Sequence, residues 1–147
     1  MTTNLINLDT LRLAKGAHED GPPPGSPDCQ MCLFEAYNVL IGRFHEDPDG
    51  DDEDGNTSGL TDECPPDVSP ILHAFGVRLN DTLDDPRRQE LKAFLPRDGQ
   101  PSPLAGTRGD GLDEQRGYLA LDWLIRTYTP AWLDVAGLTA GATALLV

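Results

Sequence analysis

Apolar residues recur at helical spacing in three stretches of the chain. In residues 27–44 and 70–83 they fall on one side of a helix, which predicts two amphipathic helices packed on a core. In residues 110–128 they occur almost all round, which predicts the central and most buried helix. Only residues 5–8 and 11–13 alternate in a way that could form strand.

A capping residue followed by proline marks the expected start of four helices. Proline fits the first helical turn because its missing N–H costs nothing there, and the residue before it can accept the unpaired amides. Gly137 suits a left-handed cap at the end of the last of these helices, and residues 139–147 could add a further turn. The four pairs are Ser26-Pro27, Ser69-Pro70, Asp85-Pro86 and Thr129-Pro130.

These elements predict an all-α fold, a compact bundle of about five to six helices with a short irregular or extended N-terminal segment. At 147 residues the chain is expected to form a single domain, 1–147. Gly, Pro and Asp concentrate in residues 14–26, a Gly/Pro loop, in residues 45–67, an acidic loop, and in residues 96–110.

The net charge of −14 comes mainly from the acidic loop. Residues 46–67 hold ten acids and no base, whereas the rest of the chain is nearly balanced. Direct nucleic-acid binding is not expected, because no Lys/Arg stripe could neutralise phosphates. Residues 52–63 resemble a calcium loop in part, but Thr57 replaces the turn glycine and Pro65 breaks the exit helix, so a solvated insertion is expected. We expect residues 47–60 to bury little.

No membrane or export signal is visible in the sequence. The apolar runs are too short to span a bilayer, and the first residues lack the basic region and cleavage site of a secretory signal. Three cysteines cannot close a disulfide framework. A cytosolic location is the expectation.

The candidate chemistry lies in a C-x₂-C pair, Cys29 and Cys32, for which three interpretations remain open. In the first, Cys32, Cys64 and His18 bind zinc, with Cys29 or Glu35 as a fourth ligand. In the second, Cys32 is a core residue and Cys29 an exposed thiol. In the third, the pair is redox-active, but no strand precedes it as in thioredoxin-like motifs.

Catalytic motifs are not apparent. The sequence contains no Gly-rich phosphate loop, nucleophile elbow or H-E-x-x-H helix. Asp122 and Arg126 are expected to form an ion pair on a helix surface. Trp123, Tyr128 and Trp132 are interpreted as core aromatics, whereas an exposed Trp132 would indicate a partner surface.

Several short motifs run from residue 11 to residue 138, and the segment DWLIRTYTPAWL is the most specific of them. Together they resemble a family of small hypothetical proteins from actinobacteria and their phages. The resemblance includes His18, Cys32, Glu35 and Cys64, but not Cys29 or residues 47–60. It implies a phage or actinobacterial setting and no known activity.

These observations favour a non-enzymatic cytosolic accessory protein that binds a host or phage protein partner and contains a structural zinc site. The alternative is a metal-dependent enzyme that uses the His18, Cys32 and Cys64 ligands and keeps one coordination position open for water.

Overall fold

The fold, seen in a computed structural model, is all-α, as the sequence predicts. The structure describes residues 6–18, 24–26, 28–44, 59–97 and 99–146. The chain divides into two compact units, Met1–Arg108 and Gly109–Val147. The first unit contains α1 (Leu33–Leu40), α2 (Pro70–Thr82), α3 (Asp85–Glu90) and a 3₁₀ turn (Leu91–Phe94). The second contains α4 (Asp113–Trp123), a π turn (Leu124–Tyr128), α5 (Thr129–Val135) and α6 (Thr139–Ala144).

The core of the first unit is built around α1. Seven of its eight residues are buried, and Phe34, Glu35, Ala36, Tyr37 and Asn38 are 0% exposed. The buried apolar side chains around it come from the segments before α1 and α2 and from the 3₁₀ turn and the residue after it: Ile6, Leu11, Leu13, Met31, Leu60, Val68, Leu91 and Leu95. The expectation that residues 110–128 form the most buried helix is therefore wrong, since none of the residues of α4 or the π turn is buried.

Helix α1 is shorter than the predicted helix over residues 27–44. It starts at Leu33 because Cys32 is the N-cap residue and has an extended backbone, with a φ of −75° and a ψ of 177°. It stops at Leu40 because Gly42 takes a left-handed φ of 79° and closes a Schellman motif. In that motif the amides of Gly42 and Arg43 donate to the carbonyls of Val39 and Asn38, at 3.0 and 2.7 Å.

The predicted start of α2 at Ser69-Pro70 is confirmed. The Ser69 hydroxyl accepts a hydrogen bond from the Leu72 amide at 3.4 Å. The helix packs on α1 through Gly76, because a Cβ there would lie 2.8 Å from the Phe34 ring. Ile71, an apolar residue of this predicted amphipathic helix, is 36% exposed. Helix α3 begins at Asp85, one residue earlier than the capping pattern implies, because Asp84 is its cap.

The N-terminal segment, residues 6–18, is held by side chains from α3 and the 3₁₀ turn. Leu13 forms an isolated parallel bridge with Met31. On its other edge, the Leu13 amide donates to Gln89 Oε1 at 2.8 Å, and Gln89 Nε2 donates to the Leu13 carbonyl at 2.9 Å. The Lys92 ammonium donates to the carbonyls of Leu8 and Leu11, at 3.2 and 3.0 Å.

The last part of the acidic loop belongs to the core of the first unit. Residues 45–58, including most of the partial calcium pattern, lie outside the described residues. Leu60 is only 5% exposed, so the expectation that residues 47–60 bury little is wrong at this position. The buried Asn38 side chain donates to the carbonyls of Thr61 and Glu63, at 2.8 and 2.9 Å. The described part of this loop is therefore fastened to α1.

In the second unit, the chain runs helically without a break from Asp113 to Val135. Helix α5 begins at Thr129-Pro130, as predicted, but it continues directly from the π turn, because Tyr128 and Thr129 keep right-handed helical angles. The proline lacks an N–H and would collide with the carbonyl four residues before it in a regular helix. A π turn before the proline avoids this collision. The Thr129 amide and the Thr129 hydroxyl both donate hydrogen bonds to the Leu124 carbonyl, and the hydroxyl oxygen lies 2.7 Å from the carbonyl oxygen.

Gly137 ends α5 as predicted, with a left-handed φ of 78°. Helix α6 then turns back, and a Cβ at Gly141 would lie 3.5 Å from Leu133 Cδ1. Among the described residues, no helix has the length and apolar character needed to cross a membrane.

Candidate functional site

A buried carboxylate, Glu35, organises the region in which the sequence places its candidate metal ligands. Its Oε1 accepts a hydrogen bond from the His18 amide. Its Oε2 accepts from the Cys32 amide at 2.6 Å and lies 2.9 Å from Nδ1 of His18. The Glu35 side chain is 0% exposed and that of His18 only 14%. Glu35 thus joins the N-terminal segment to the start of α1.

Cys32 and Glu35 form a capping box in which cysteine stands where serine or threonine is usual. The Glu35 amide donates a hydrogen bond to the Cys32 sulfur at 3.5 Å, and the Glu35 carboxylate accepts a hydrogen bond from the Cys32 amide. Burial, and next the negative charge of Glu35, raise the pKa of the Cys32 thiol to about 12. The thiol is therefore protonated at neutral pH, and redox chemistry at this residue is disfavoured because the thiolate is the reactive form.

Two residues of α2 support the same cluster. The Asn80 side chain, 1% exposed, accepts from the Leu33 amide at 3.2 Å and donates to the Ala14 carbonyl at 2.8 Å. The Asp81 carboxylate accepts from the Gly16 amide at 3.0 Å. These contacts tie α2 to the N-terminal segment and to the start of α1.

Cys64 has a different set of partners. Arg108 Nη2 lies 3.0 Å from its sulfur, and the thiol donates to the Val68 carbonyl at 3.5 Å. Cys29 is half-buried, burial raises the pKa of its thiol, and its sulfur lies 3.9 Å from the Gln30 carbonyl. In the described part of the chain, no group of three His, Cys, Asp or Glu residues is arranged to hold a metal ion.

The metal ligands predicted from the sequence are thus only partly together. His18 and Cys32 both contact the carboxylate of Glu35, whereas the sulfur of Cys64 contacts Arg108 and the carbonyl of Val68. The zinc site formed by His18, Cys32, Cys64 and Cys29 stays a prediction.

The second unit presents an unusual amount of apolar surface. The described residues have fifteen large apolar side chains that are exposed, and twelve of them belong to this unit. Trp132 is 66% exposed and Val135 is 92% exposed, whereas the sequence predicted Trp123, Tyr128 and Trp132 as core aromatics. That prediction is wrong, and exposed apolar surface of this extent is typical of interaction sites.

The π turn arranges part of this surface as one line of side chains. Trp123 and Trp132 are nine residues apart, so a regular helix at about 100° per residue would place them on opposite sides. The π turn contains about one residue more than an α-helical turn, so the angle between the two tryptophans around the helix axis falls from about 180° to about 80°. In agreement, the rings of Trp123 and Tyr128 lie 5.6 Å apart although they are five residues apart.

We call this line the apolar row. Its neighbours follow one another three, four or five residues apart, and all are exposed by 39% or more: Leu119, Trp123, Tyr128, Trp132 and Val135.

The charged groups of the second unit are mostly acidic. Residues 109–147 contain five acids and two arginines, a net charge of −3. Arg116 contacts Asp110 at 2.5 Å and Asp113 at 3.2 Å, and hydrogen bonds from Arg116 lower the pKa of Asp110 to about 2. Arg126 contacts Asp122 at 2.7 Å, which confirms the predicted ion pair. Both arginines are therefore already engaged by acids.

Two features were missed from the sequence although a signal for each was present. The capping box was overlooked because its first residue is Cys32, yet the Cys-x-x-Glu spacing matches the usual motif. The π turn is not predicted because Pro130 is interpreted as a helix start, although apolar residues occur on both sides of it, Leu124 and Ile125 before it and Trp132 and Leu133 after it.

No protein-family model, curated protein or solved structure matches this chain.

Proposed function

We propose that this is a non-enzymatic accessory protein that binds a protein partner through its second unit. The observation that carries the proposal is the exposed apolar surface of the helix Asp113–Val135, which includes both tryptophans of the chain. Exposed tryptophan and tyrosine are the residues most enriched in binding hot spots, because each buries a large area with few rotatable bonds.

The cellular setting is part of the proposal. The motifs that resemble actinobacterial and phage proteins support a phage- or prophage-related role in the cytosol, with a host or phage protein as the partner. The excess of acids over bases in both units disfavours a nucleic acid in that position.

Quantitative affinity capture tests this function. The wild-type protein and Trp132→Ser are immobilised separately, and proteins captured from actinobacterial lysate are compared by mass spectrometry. Ile71→Ser serves as the control, because Ile71 is an exposed apolar residue of the first unit. We expect a captured protein that is retained by the control and lost with Trp132→Ser. Identical capture by all three proteins would contradict a binding role for the second unit.

A structural zinc site at His18, Cys32 and Cys64, with Cys29 as a further ligand, is a second proposal, supported by the contact of His18 with Glu35. Metal-binding histidines usually direct one ring nitrogen to a carboxylate, which orients the other toward the metal. The high pKa of the Cys32 thiol acts against it, because a zinc ligand must be the thiolate.

Cys32→Ser separates the two roles of this residue. Serine is a preferred N-cap residue, so the capping box is expected to remain. Elemental analysis of protein purified without a histidine tag should find about one zinc per chain, lost in Cys32→Ser and Cys64→Ser. Retention of zinc in these variants, or its absence from the wild type, would contradict the proposal. Three protein ligands with a bound water would instead favour the alternative, a metal-dependent enzyme.

A further inference from the structure

We infer that the partner of the second unit is a protein with an apolar groove bordered by lysine and arginine, and that it binds along the apolar row. This inference rests on the proposed function and specifies the partner. It combines three observations: the line formed across the π turn, the position of α6, and the charge of the unit.

The apolar row has the form of a helical recognition surface. The helix Asp113–Val135 contains 23 residues, about 35 Å in length, which is sufficient to fill a groove. Helical ligands bind such grooves through side chains three or four residues apart. The π turn keeps the spacing of the row suitable on both sides of Pro130.

Helix α6 leaves the apolar row accessible. It lies against Leu133, and Pro130 and Ala142 are the two buried residues of α5 and α6. Leu133 precedes Val135 by two residues, so on a regular helix these two side chains point about 160° apart. Val135, at the end of the row, is accordingly 92% exposed.

Charge indicates which kind of partner fits. Residues 109–147 carry a net charge of −3, and both arginines contact acids. A second copy would bring the same acidic surface, on a chain with a total charge of −14, against it. An anionic lipid surface would be repelled as well. A basic border on the partner would complement this charge, steer association and make binding sensitive to salt.

Two synthetic helical peptides test the inference. One carries leucine on one face and lysine on the other, and the second has glutamate in place of every lysine. Trp123 and Trp132, the only tryptophans of the chain, report contact directly because burial shifts their fluorescence to shorter wavelength. We expect the lysine peptide to bind with such a shift, and to bind more weakly as NaCl rises from about 0.05 to about 0.5 M.

Matched variants distinguish the apolar row from general attraction between opposite charges. Leu119 lies on the row and is 71% exposed, whereas Leu121 is 49% exposed and points about 160° away around the helix. Leu119→Ser should weaken peptide binding by roughly tenfold or more, and Leu121→Ser by no more than about twofold. Equal effects of the two variants would overturn the assignment of the row.

The remaining outcomes separate this inference from the proposed function. Equal binding of both peptides would overturn the inference that the partner is basic. Concentration-dependent dimerisation in analytical ultracentrifugation, if Leu119→Ser abolishes it, would also overturn that inference. A fluorescence shift with anionic vesicles and none with the lysine peptide would also overturn it. In each of these cases the lysate capture with Trp132→Ser would still test the proposed function independently. No fluorescence shift with any probe would overturn the inference.

Discussion

Replacing Glu35 with glutamine is expected to destabilise the first unit strongly, although the change removes no volume. The carboxylate is 0% exposed and accepts from the amides of His18 and Cys32, and its Oε2 also contacts Nδ1 of His18. Glutamine has one acceptor oxygen in place of two, and its NH₂ group would face at least one N–H donor. That donor would then be buried without an acceptor.

The expected magnitude follows from these bonds. A buried donor without a partner costs about 1–3 kcal/mol, and the bonds that remain lose their charged acceptor. We therefore expect a loss of about 3 kcal/mol in the free energy of unfolding. With a urea m-value of about 2 kcal/mol/M, this loss lowers the unfolding midpoint by about 1.5 M.

Urea titration followed by circular dichroism measures the change, and Glu90→Gln is the control. Glu90 is an exposed residue of α3, so its substitution should change the free energy of unfolding by no more than about 0.5 kcal/mol. A double-mutant cycle with His18→Ala should be strongly non-additive, because the two residues share a contact. Equal midpoints for Glu35→Gln and Glu90→Gln would refute the idea that Glu35 anchors this cluster through both of its carboxylate oxygens.

Four further predictions concern stability. Gly76→Ala should lower the free energy of unfolding by about 1–3 kcal/mol, because the new Cβ would lie 2.8 Å from an aromatic ring of α1. Gly117→Ala adds a Cβ in open space and should raise the free energy of unfolding by up to about 1 kcal/mol, so similar melting temperatures for the two variants would contradict this prediction. Because the pKa of Cys32 is about 12, the folded state keeps a proton that the unfolded state releases above about pH 8.5, so the free energy of unfolding should fall as pH rises from about 8.5 towards 12. Cys32→Ser should make the free energy of unfolding, measured by urea titration, less dependent on pH in this range, and an unchanged pH dependence would contradict the prediction. Asn38→Ala should cost about 2 kcal/mol, because two carbonyls of the 59–69 segment lose their buried donor, and amide exchange there should accelerate. Deletion of residues 47–58, which spares the buried leucine that follows, should lower the melting temperature by less than about 8 °C; a larger drop would show that these residues contribute to the fold.

The features that sequence predicted well are those determined by a few neighbouring residues. The all-α fold, the start of α2 at Ser69-Pro70 and the glycine cap at Gly137 each depend on local backbone preferences. The short length of α1 is also local, but its signal was a cysteine in a position where serine or threonine is expected. The predicted start of α1 is therefore wrong, because a cysteine takes the N-cap position that serine or threonine usually occupies.

Burial could not be predicted in the same way. The hydrophobic pattern of residues 110–128 indicates an apolar helix, but it does not indicate what covers that helix. Likewise, Cys32 and Glu35 are three residues apart and meet at one helix start, whereas the contacts of Cys64 depend on Arg108, which is 44 residues away. The partners of loop residues are determined by tertiary structure, and the sequence contained no local signal for them.

The contacts that hold the N-terminal segment, residues 6–18, against α3 and the 3₁₀ turn have a consequence for synthesis of the chain. Leu13 pairs with Gln89 on one edge, and Leu8 and Leu11 are held by Lys92, so these contacts span 76 to 84 residues. Contacts over such distances form late, because a long loop must close first. At about 5–20 residues per second, a ribosome needs roughly 4–15 s to extend the chain from residue 18 to residue 92. During that time the segment with Leu11 and Leu13 has no native partner in α3 or the 3₁₀ turn, and its apolar side chains are accessible to chaperones.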